Sequence, residues 1–510
     1  MTEYQIYRGM TGGIRLAPNK ELSTAFPINR DLIPNQLIIP MKQHPGPPAI
    51  PTVTVGERVR NGQMVGQSDS IFSAAIHTAR AGVVVALEKR PIPSGTDLIE
   101  SQCILLDVDS DTTEEPTERQ YPWPDIHTHR LQTIRDAGIV GLGGAAFPTA
   151  IKLDTKTICD TLIINGAECE PYISCDDMLM REHSPEILLG VQAMIDLLNP
   201  ENCLIAIERD KPQAIEAMQT EISELGDERI KIAAVTIKYP AGGERQLVEL
   251  LVGKEVPSGL YPIEIGCVCQ NVGTAFALGE LVREAKPITS RIVTVTGKGV
   301  RNPQNVEVPI GTPIRELIQH CGGYTKGATR LILGGSMMGY AVSSDELPLT
   351  KATNCVIAST DDEVRTSYQE SPCIRCGDCA EVCPVRLLPQ ELLSPSKNFD
   401  FQKLDSLSLR DCIQCGCCDV VCPSQIPLTE YFRNARNAQH RHTLHQQLAE
   451  TSQLRYTNKQ RRLKLQDEQT EKFRNDLKAR VAENSDSRQE AIEAAIDRVQ
   501  RQRSLVNDRD

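Results

Sequence analysis

Two runs of cysteine carry the most chemistry in this 510-residue sequence. The first reads Cys373-Ile-Arg-Cys376-Gly-Asp-Cys379-Ala-Glu-Val-Cys383-Pro384, and the second Cys412-Ile-Gln-Cys415-Gly-Cys417-Cys418-Asp-Val-Val-Cys422-Pro423. Three thiolates at three-residue intervals let a tight loop wrap one corner of an iron–sulfur cube, and in two-cluster proteins of this spacing the fourth Cys of each run ligates the other cluster. Two [4Fe-4S] clusters are therefore expected, one on Cys373, Cys376, Cys379 and Cys422, the other on Cys412, Cys415, Cys418 and Cys383. Structural zinc sites use separated C-x2-4-C pairs rather than two compact runs of four. The proline after each fourth Cys stops the following helix from extending back into the loop. Cys417 falls outside the pattern and reads as a spectator thiol shielded beside a cluster.

A second informative stretch is Gly141-Leu-Gly143-Gly144-Ala-Ala-Phe147-Pro148-Thr149-Ala-Ile-Lys152. Glycines at these positions let backbone N–H groups approach a phosphate or a flat ring where a Cβ would obstruct. Alone, such a loop admits a nucleotide, a flavin or a plain turn. Here the apolar run Thr161-Leu-Ile-Ile164 follows and reads as a buried parallel strand, with Asn165-Gly-Ala-Glu168-Cys-Glu170-Pro171 at its C-terminal end, where open α/β sheets place ligands. Tyr239-Pro-Ala-Gly242-Gly243-Glu244 and Gln270-Asn271-Val-Gly273-Thr274 each follow another short apolar strand. Taken singly, the glutamates are equally compatible with solvated loop positions.

In this order the four stretches resemble the flavin pocket of the FMN-bearing, NADH-oxidising subunit of respiratory complex I. Together with the segments on either side, the arrangement is closer still to the RnfC family of the Rnf ion-translocating electron-transport complex, over roughly residues 30–440. The resemblance implies non-covalent FMN and NADH as substrate. Gly141, Gly143 and Gly144 would lie against flavin and nicotinamide, Phe147 would stack on a ring, and Lys152 would supply positive charge to the flavin or its phosphate. Asn165 and Glu168 would hydrogen-bond the isoalloxazine or ribityl chain, Glu170 and Glu244 with Gly242 and Gly243 would border the nicotinamide, and Asn271 and Thr274 would hold the phosphate end. Ala146 stands where the complex I pattern has Gly, and Ala167 where it has Asp. No side chain is expected to act as a catalytic acid or base, because hydride transfer between two rings needs none.

These residues need a multidomain α/β and α+β scaffold. Residues 30–105 alternate apolar residues around Gly turns and resemble the barrel-sandwich hybrid of biotinyl and lipoyl domains, although Ser68 to Ala75 lacks the modifiable Lys of those carriers. His44-Pro45-Gly46-Pro47-Pro48 reads as a rigid extended connector, and residues 106–126 as a linker, acidic and then Pro-rich around Trp123. Residues 125–285 form the Rossmann-like FMN/NADH domain. Residues 290–360 resemble a ubiquitin-like β-grasp module, with two strands and a helix capped at Thr312; its Gly334-Gly335-Ser336-Met337-Met338-Gly339 element reads as a β-turn with core methionines in preference to a phosphate loop. Residues 365–440 form a two-cluster ferredoxin-like helical domain. From Leu428 to Asp510 no Gly or Pro interrupts a helix, so residues 441–510 read as a charged helical tail, with a capping box at Ser487 and Glu490 and a thin apolar edge at Ile492, Ile496 and Val499 suited to docking a partner.

Composition sets the setting. Apolar content of 40% and charged content of 24% are those of a globular chain, and no stretch reaches the roughly 18 apolar residues that span a bilayer. Eighteen Cys without a secretory signal argue for a reducing compartment, most of those outside the two runs being small core residues. A net charge of −12 argues against nucleic acid as a partner. The tail departs from this balance, with 15 Lys+Arg against 12 Asp+Glu in residues 441–510. The resemblance implies a peripheral subunit on the cytoplasmic face of the inner membrane, whose partners are the other subunits of a membrane electron-transport complex, with ferredoxin an indirect one. The other readings are a non-catalytic iron–sulfur relay or scaffold subunit and a soluble NADH dehydrogenase.

Overall fold

Strands separated by glycine turns build the chain up to Val108, and alternating helices and strands build the middle. A computed structural model describes residues 4–7, 9–95, 97–109, 120–364 and 369–507. It divides into two units, residues 1–433 and 434–510. Half of the expected linker, 110–119, lies outside the described residues.

In the first unit a sandwich precedes the flavin-type domain. Strands Gln36–Pro40, Asp97–Val108, Gly82–Ser94 and Arg58–Val59 form one antiparallel sheet, and Ile50–Pro51, Met64–Gln67 and Ile76–His77 the other. The two close on a core of Leu37, Ile39, Met41, Val65, Ile76 and Ile104. The long hairpin Gly82–Val108 is absent from the short-strand pattern expected. The connector at His44 is not a free spacer either: His44 is buried, and a Cβ on Gly46 would strike the Phe72 carbonyl at 2.0 Å.

The central domain is a five-stranded parallel sheet, in which Thr161–Gly166 lies between Asn202–Glu208 and Cys267–Asn271. Ile230–Val235 follows beyond Asn202–Glu208, and Gln5–Ile6 from the N-terminus is added parallel to it as the last strand. Strands buried on both faces read as continuous apolar runs, which is why Leu162, Ile163 and Ile164 were visible in the sequence. Helices such as Ser184–Leu198 and Val272–Glu284 pack with the sheet, and loops follow the C-terminal strand ends.

The third layer is a mixed sheet in the order Gln304–Pro309, Ser290–Thr296, Cys355–Thr360, Ala328–Leu333, Tyr340–Val342, with the second and third strands parallel. Its helix is Ile314–His320, but Thr312 does not cap it: the Thr312 hydroxyl donates back to the Pro309 carbonyl at 2.7 Å, satisfying itself locally. At the meeting point of all three domains Lys351 is 1% exposed, and its ammonium donates to the carbonyls of Ala75 at 2.9 Å and Gly138 at 2.7 Å.

The second unit is helix. A helix runs Leu428–Asn507, and every described side chain from His440 to Ser504 is exposed. Ser487 starts nothing; it lies within this helix and its hydroxyl donates to the Asn484 carbonyl at 3.3 Å, the back-bonding typical of a mid-helix serine. No helix among the described residues is long and apolar enough to cross a membrane.

Candidate functional site

The glycine-rich loop is pinned at both ends. Gly141 N–H donates to the Phe147 carbonyl at 2.8 Å, and Leu142 N–H to the Thr274 hydroxyl at 2.9 Å. Between them Gly143 and Gly144 are exposed, Gly144 has φ +110°, and a Cβ there would meet nothing within 4 Å. Bare backbone thus faces open space, a cradle suited to a flat ring. Ala146, the departure from glycine, takes φ +48° and is buried, so an L side chain sits in the left-handed region. Phe147 is half-buried beside it.

The opposing walls are tied to one another. Asn165 Nδ2 donates to the Gly242 carbonyl at 2.8 Å, and its Oδ1 accepts from Ala167 N–H at 3.1 Å. Gly242 is obligatory here, since a Cβ would lie 2.0 Å from the Ala167 carbonyl oxygen. Gly243 leads into the helix Glu244–Val252. Asn271 caps the helix Val272–Glu284 through Gly273 N–H at 2.9 Å, while its Nδ2 donates to Asp176 Oδ2 at 2.7 Å. Lys152 Nζ lies 2.6 Å from Glu244 Oε1 and donates to the Cys269 carbonyl at 3.0 Å. Most of the expected residues are therefore tied together at the C-terminal strand ends, with Glu168 and Glu170 committed elsewhere: Glu168 is buried and its oxygens accept from Lys20 Nζ and Asp176 N–H, while those of Glu170 accept from Met337 N–H at 3.1 Å and Met338 N–H at 2.9 Å. Burial pushes the Glu170 carboxyl up to about 7, against those two amides. The Gly334–Gly339 loop is thus a carboxylate-binding turn rather than a phosphate loop, and Met338 is exposed, not core.

Three residues at this site gave no signal in the sequence. Asp176 holds Asn271, and burial, followed by the neighbouring Glu168, pushes its carboxyl up to about 7. Arg291 donates to the Leu142 carbonyl at 3.1 Å and to that of Lys351, gripping the glycine-rich loop from behind. Lys20 comes from the N-terminal segment and pairs with Glu168 at 3.5 Å.

The two cysteine runs fold alike. Arg375 and Gln414 share φ near +56°, Gly377 and Gly416 are both left-handed, and so are Arg386 and Gln425 after the fourth cysteines. Short helices Asp378–Glu381 and Cys417–Val421 carry the third cysteine of each triple. Cys373, Cys376, Cys379 and Cys422 line one small cavity; Cys383, Cys412, Cys415 and Cys418 line a second, together with Cys417. Amide donors point at sulfur from Leu387 to Cys383 at 3.3 Å and from Gln414 to Cys412 at 3.4 Å, a pattern that tunes cluster potential where iron is bound. The second cavity faces the flavin-type domain. Tyr239, three residues before Gly242, donates its hydroxyl to the Cys415 carbonyl at 2.8 Å and packs with Cys417, Cys169 and Met337. The first faces outward, with Cys373 and Cys376 exposed. Cys417 itself is fully buried.

Comparison with known families agrees with this division of labour. Residues 134–280 match the Nuo51 FMN-binding domain, 8–111 the RnfC barrel sandwich hybrid domain, 292–341 the SLBB domain and 370–426 the 4Fe-4S dicluster domain. The chain is thus a multidomain α/β redox protein that joins an FMN-binding domain to a 4Fe-4S dicluster domain. It is 44% identical over 464 residues to the RnfC subunit of the ion-translocating oxidoreductase complex of Pseudomonas aeruginosa, 90% of this chain and 59% of that one. With its counterpart in Yersinia enterocolitica it shares 40% identity over 502 residues, 96% of this chain and 70% of that one. The chain belongs to the RnfC family of ion-translocating oxidoreductase complexes. It spans 59% of the length of the Pseudomonas aeruginosa relative and 65% of that of the Vibrio cholerae relative. An NAD+-reducing [NiFe]-hydrogenase aligns at TM-score 0.45 and 20% identity over 63% of each chain.

Proposed function

We propose that this chain is the peripheral input subunit of a membrane-bound complex that couples electron transfer between NADH and ferredoxin to ion translocation. FMN would sit in the cleft between the Gly141–Phe147 loop and the loops at Asn165, Gly242 and Asn271, and two [4Fe-4S] clusters in the two cysteine cavities. Bound there, the flavin supplies conversion of a two-electron hydride donor into one-electron steps, which a [4Fe-4S] cluster requires. The residues of this chain orient and insulate: Asn165 and Gly242 hold two walls together, Thr274 fixes the glycine-rich loop, Asn271 caps the helix Val272–Glu284, and Lys152, paired with Glu244 but partly exposed, would supply positive charge toward a phosphate. The observation that carries the reading is the hydrogen bond from Tyr239 to the Cys415 carbonyl, because it joins the strand end leading into Gly242 directly to a cysteine of the inner cavity. The inner set, Cys412, Cys415, Cys418 and Cys383, is then nearer the flavin, and the exposed Cys373 and Cys376 mark the exit toward partner subunits. The third-domain sheet order, with its parallel central pair, supports a β-grasp module between the two cofactor domains.

A second reading has one observation in its favour. Lys152 is already engaged by Glu244 and the Cys269 carbonyl, as it would be in a relay subunit that has lost its nucleotide. An anaerobic NADH titration of the iron-reconstituted protein, read by visible absorption and low-temperature EPR, separates the two. Bleaching of a flavin band with signals from two clusters supports the input role; clusters without flavin bleaching support the relay.

A further inference from the structure

The N-terminal segment carries no motif, yet it touches both the central sheet and the cysteine domain. Gln5–Ile6 completes the parallel sheet against Ala233 and Ala234. Ile14 exchanges two backbone hydrogen bonds with Tyr239, at 2.8 and 2.9 Å, and Gly13 N–H donates to the Val382 carbonyl at 2.7 Å, one residue before Cys383. Pro18 then accepts from Tyr172 N–H at 2.7 Å, and Lys20 turns inward.

Lys20 is 7% exposed, and its three donors find three acceptors: the Ile173 carbonyl at 2.6 Å, the Glu168 carbonyl, and Glu168 Oε2 at 3.5 Å. It therefore staples the two ends of the Glu168–Ile173 turn. The other Glu168 oxygen accepts from Asp176 N–H at 2.9 Å, at the start of the helix Cys175–Glu182, and Asp176 in turn holds Asn271. Ligand atoms of Glu168, Cys175 and Asp176 lie within 4.8 Å of one another, so two carboxylates, Glu168 buried and Asp176 half-buried, share this spot. Among the described residues Lys20 is the only ion-pair partner of Glu168. Burial opposes its charge, but the surrounding negative groups, Glu168 and Glu208 foremost, together hold Lys20 above its ordinary value.

We propose that Lys20 is a positioning residue for the flavin: acting through Glu168 and without touching the cofactor, it sets the 165–173 wall and, through Asp176, the Asn271 side chain. The proposal rests on the reading that the cleft binds FMN. The test is a double-mutant cycle on the full chain with Lys20→Gln, which keeps donors for the two carbonyls but not the charge, Lys20→Met, Glu168→Gln, and the double variant Lys20→Gln/Glu168→Gln. FMN affinity is read by quenching of flavin fluorescence and the flavin midpoint potential by redox titration. Iron and acid-labile sulfide are counted separately to show that each variant is folded. Lys20→Gln should weaken FMN binding about tenfold, as loss of a supporting partner does elsewhere, and shift the potential, while the double variant should differ little from Glu168→Gln alone. Lys20 variants with wild-type affinity and potential, or strictly additive effects in the cycle, would overturn it. If the wild-type protein itself takes no FMN, the flavin reading fails first and this inference with it.

Discussion

Tyr239 donates its hydroxyl to the carbonyl oxygen of Cys415 at 2.8 Å, with both residues buried. The bond crosses from the domain that carries the cleft to the domain that carries the cysteines. Tyr239→Phe keeps the ring and removes only the donor, leaving a buried carbonyl unsatisfied at a cost of about 1–3 kcal/mol. The expected outcome is a lower thermal midpoint together with a changed EPR line shape for the cluster nearer the flavin. An unchanged spectrum would mean that the bond is incidental to the inner site.

The thiol groupings predict which cysteine variants behave alike. Cys373→Ser and Cys422→Ser, 49 positions apart but lining one cavity, should each abolish the same EPR signal and leave the other. Cys383→Ser should instead match Cys412→Ser. If Cys383→Ser removes the signal lost in Cys373→Ser, the ligands follow sequence order and the crossed assignment is wrong. Cys417→Ser should leave iron content unchanged, since its thiol lies 4.0 Å from the Tyr239 carbonyl and is the one cysteine of the cavity outside the repeat.

What was legible in the sequence was local. Cysteine spacing is read off a few residues because each loop is a self-contained turn, and the matching left-handed residues at Arg375 and Gln414 are the backbone expression of that repeat. The central strands were legible because burial on both faces leaves no polar alternation. Lys20 and Lys351 were not, because their partners lie 148 and 213 or more residues away, and nothing in a neighbouring residue announces such a contact. Thr312 and Ser487 misled for the opposite reason: a short hydroxyl side chain can satisfy itself on the preceding turn as well as cap a helix, and spacing does not distinguish the two.

Ala146 offers a test of the glycine-rich loop. Its φ of +48° places a buried Cβ in the left-handed region, which disfavours L residues by about 1–2 kcal/mol, partly offset by the greater unfolded-state freedom of glycine. Ala146→Gly should therefore raise stability by about 1 kcal/mol at most and leave iron content unchanged. Gly144→Ala should act oppositely: at φ +110° it introduces strain, and its methyl group enters the space above the loop. Thermal unfolding and FMN titration of the two variants check both signs. A stabilised Gly144→Ala with undiminished FMN affinity would remove the loop from the cleft.

The three-domain junction makes stability depend on pH through Lys351, His77 and His44. Burial lowers Lys351 from 10.5 to about 7, while burial and then the Lys351 charge lower His77 to about 3 and His44 to about 4, from 6.5. Between pH 7 and 10.5 the unfolded chain holds the lysine proton that the folded chain has released, so this contribution to stability grows with pH; it is complete above 10.5 and lost as pH falls through 7. The histidines act in a lower window: they are neutral when folded, so their contribution is present above 6.5 and lost on acidification toward 3. In Lys351→Met the alkaline window disappears, because no proton is left to release. The wild-type thermal midpoint minus that of Lys351→Met should therefore increase from pH 7 to pH 9.5, about a unit below the ordinary lysine value. A difference that stays flat over that range would mean that Lys351 remains protonated in the folded protein, with its two carbonyl partners sufficient to hold the charge.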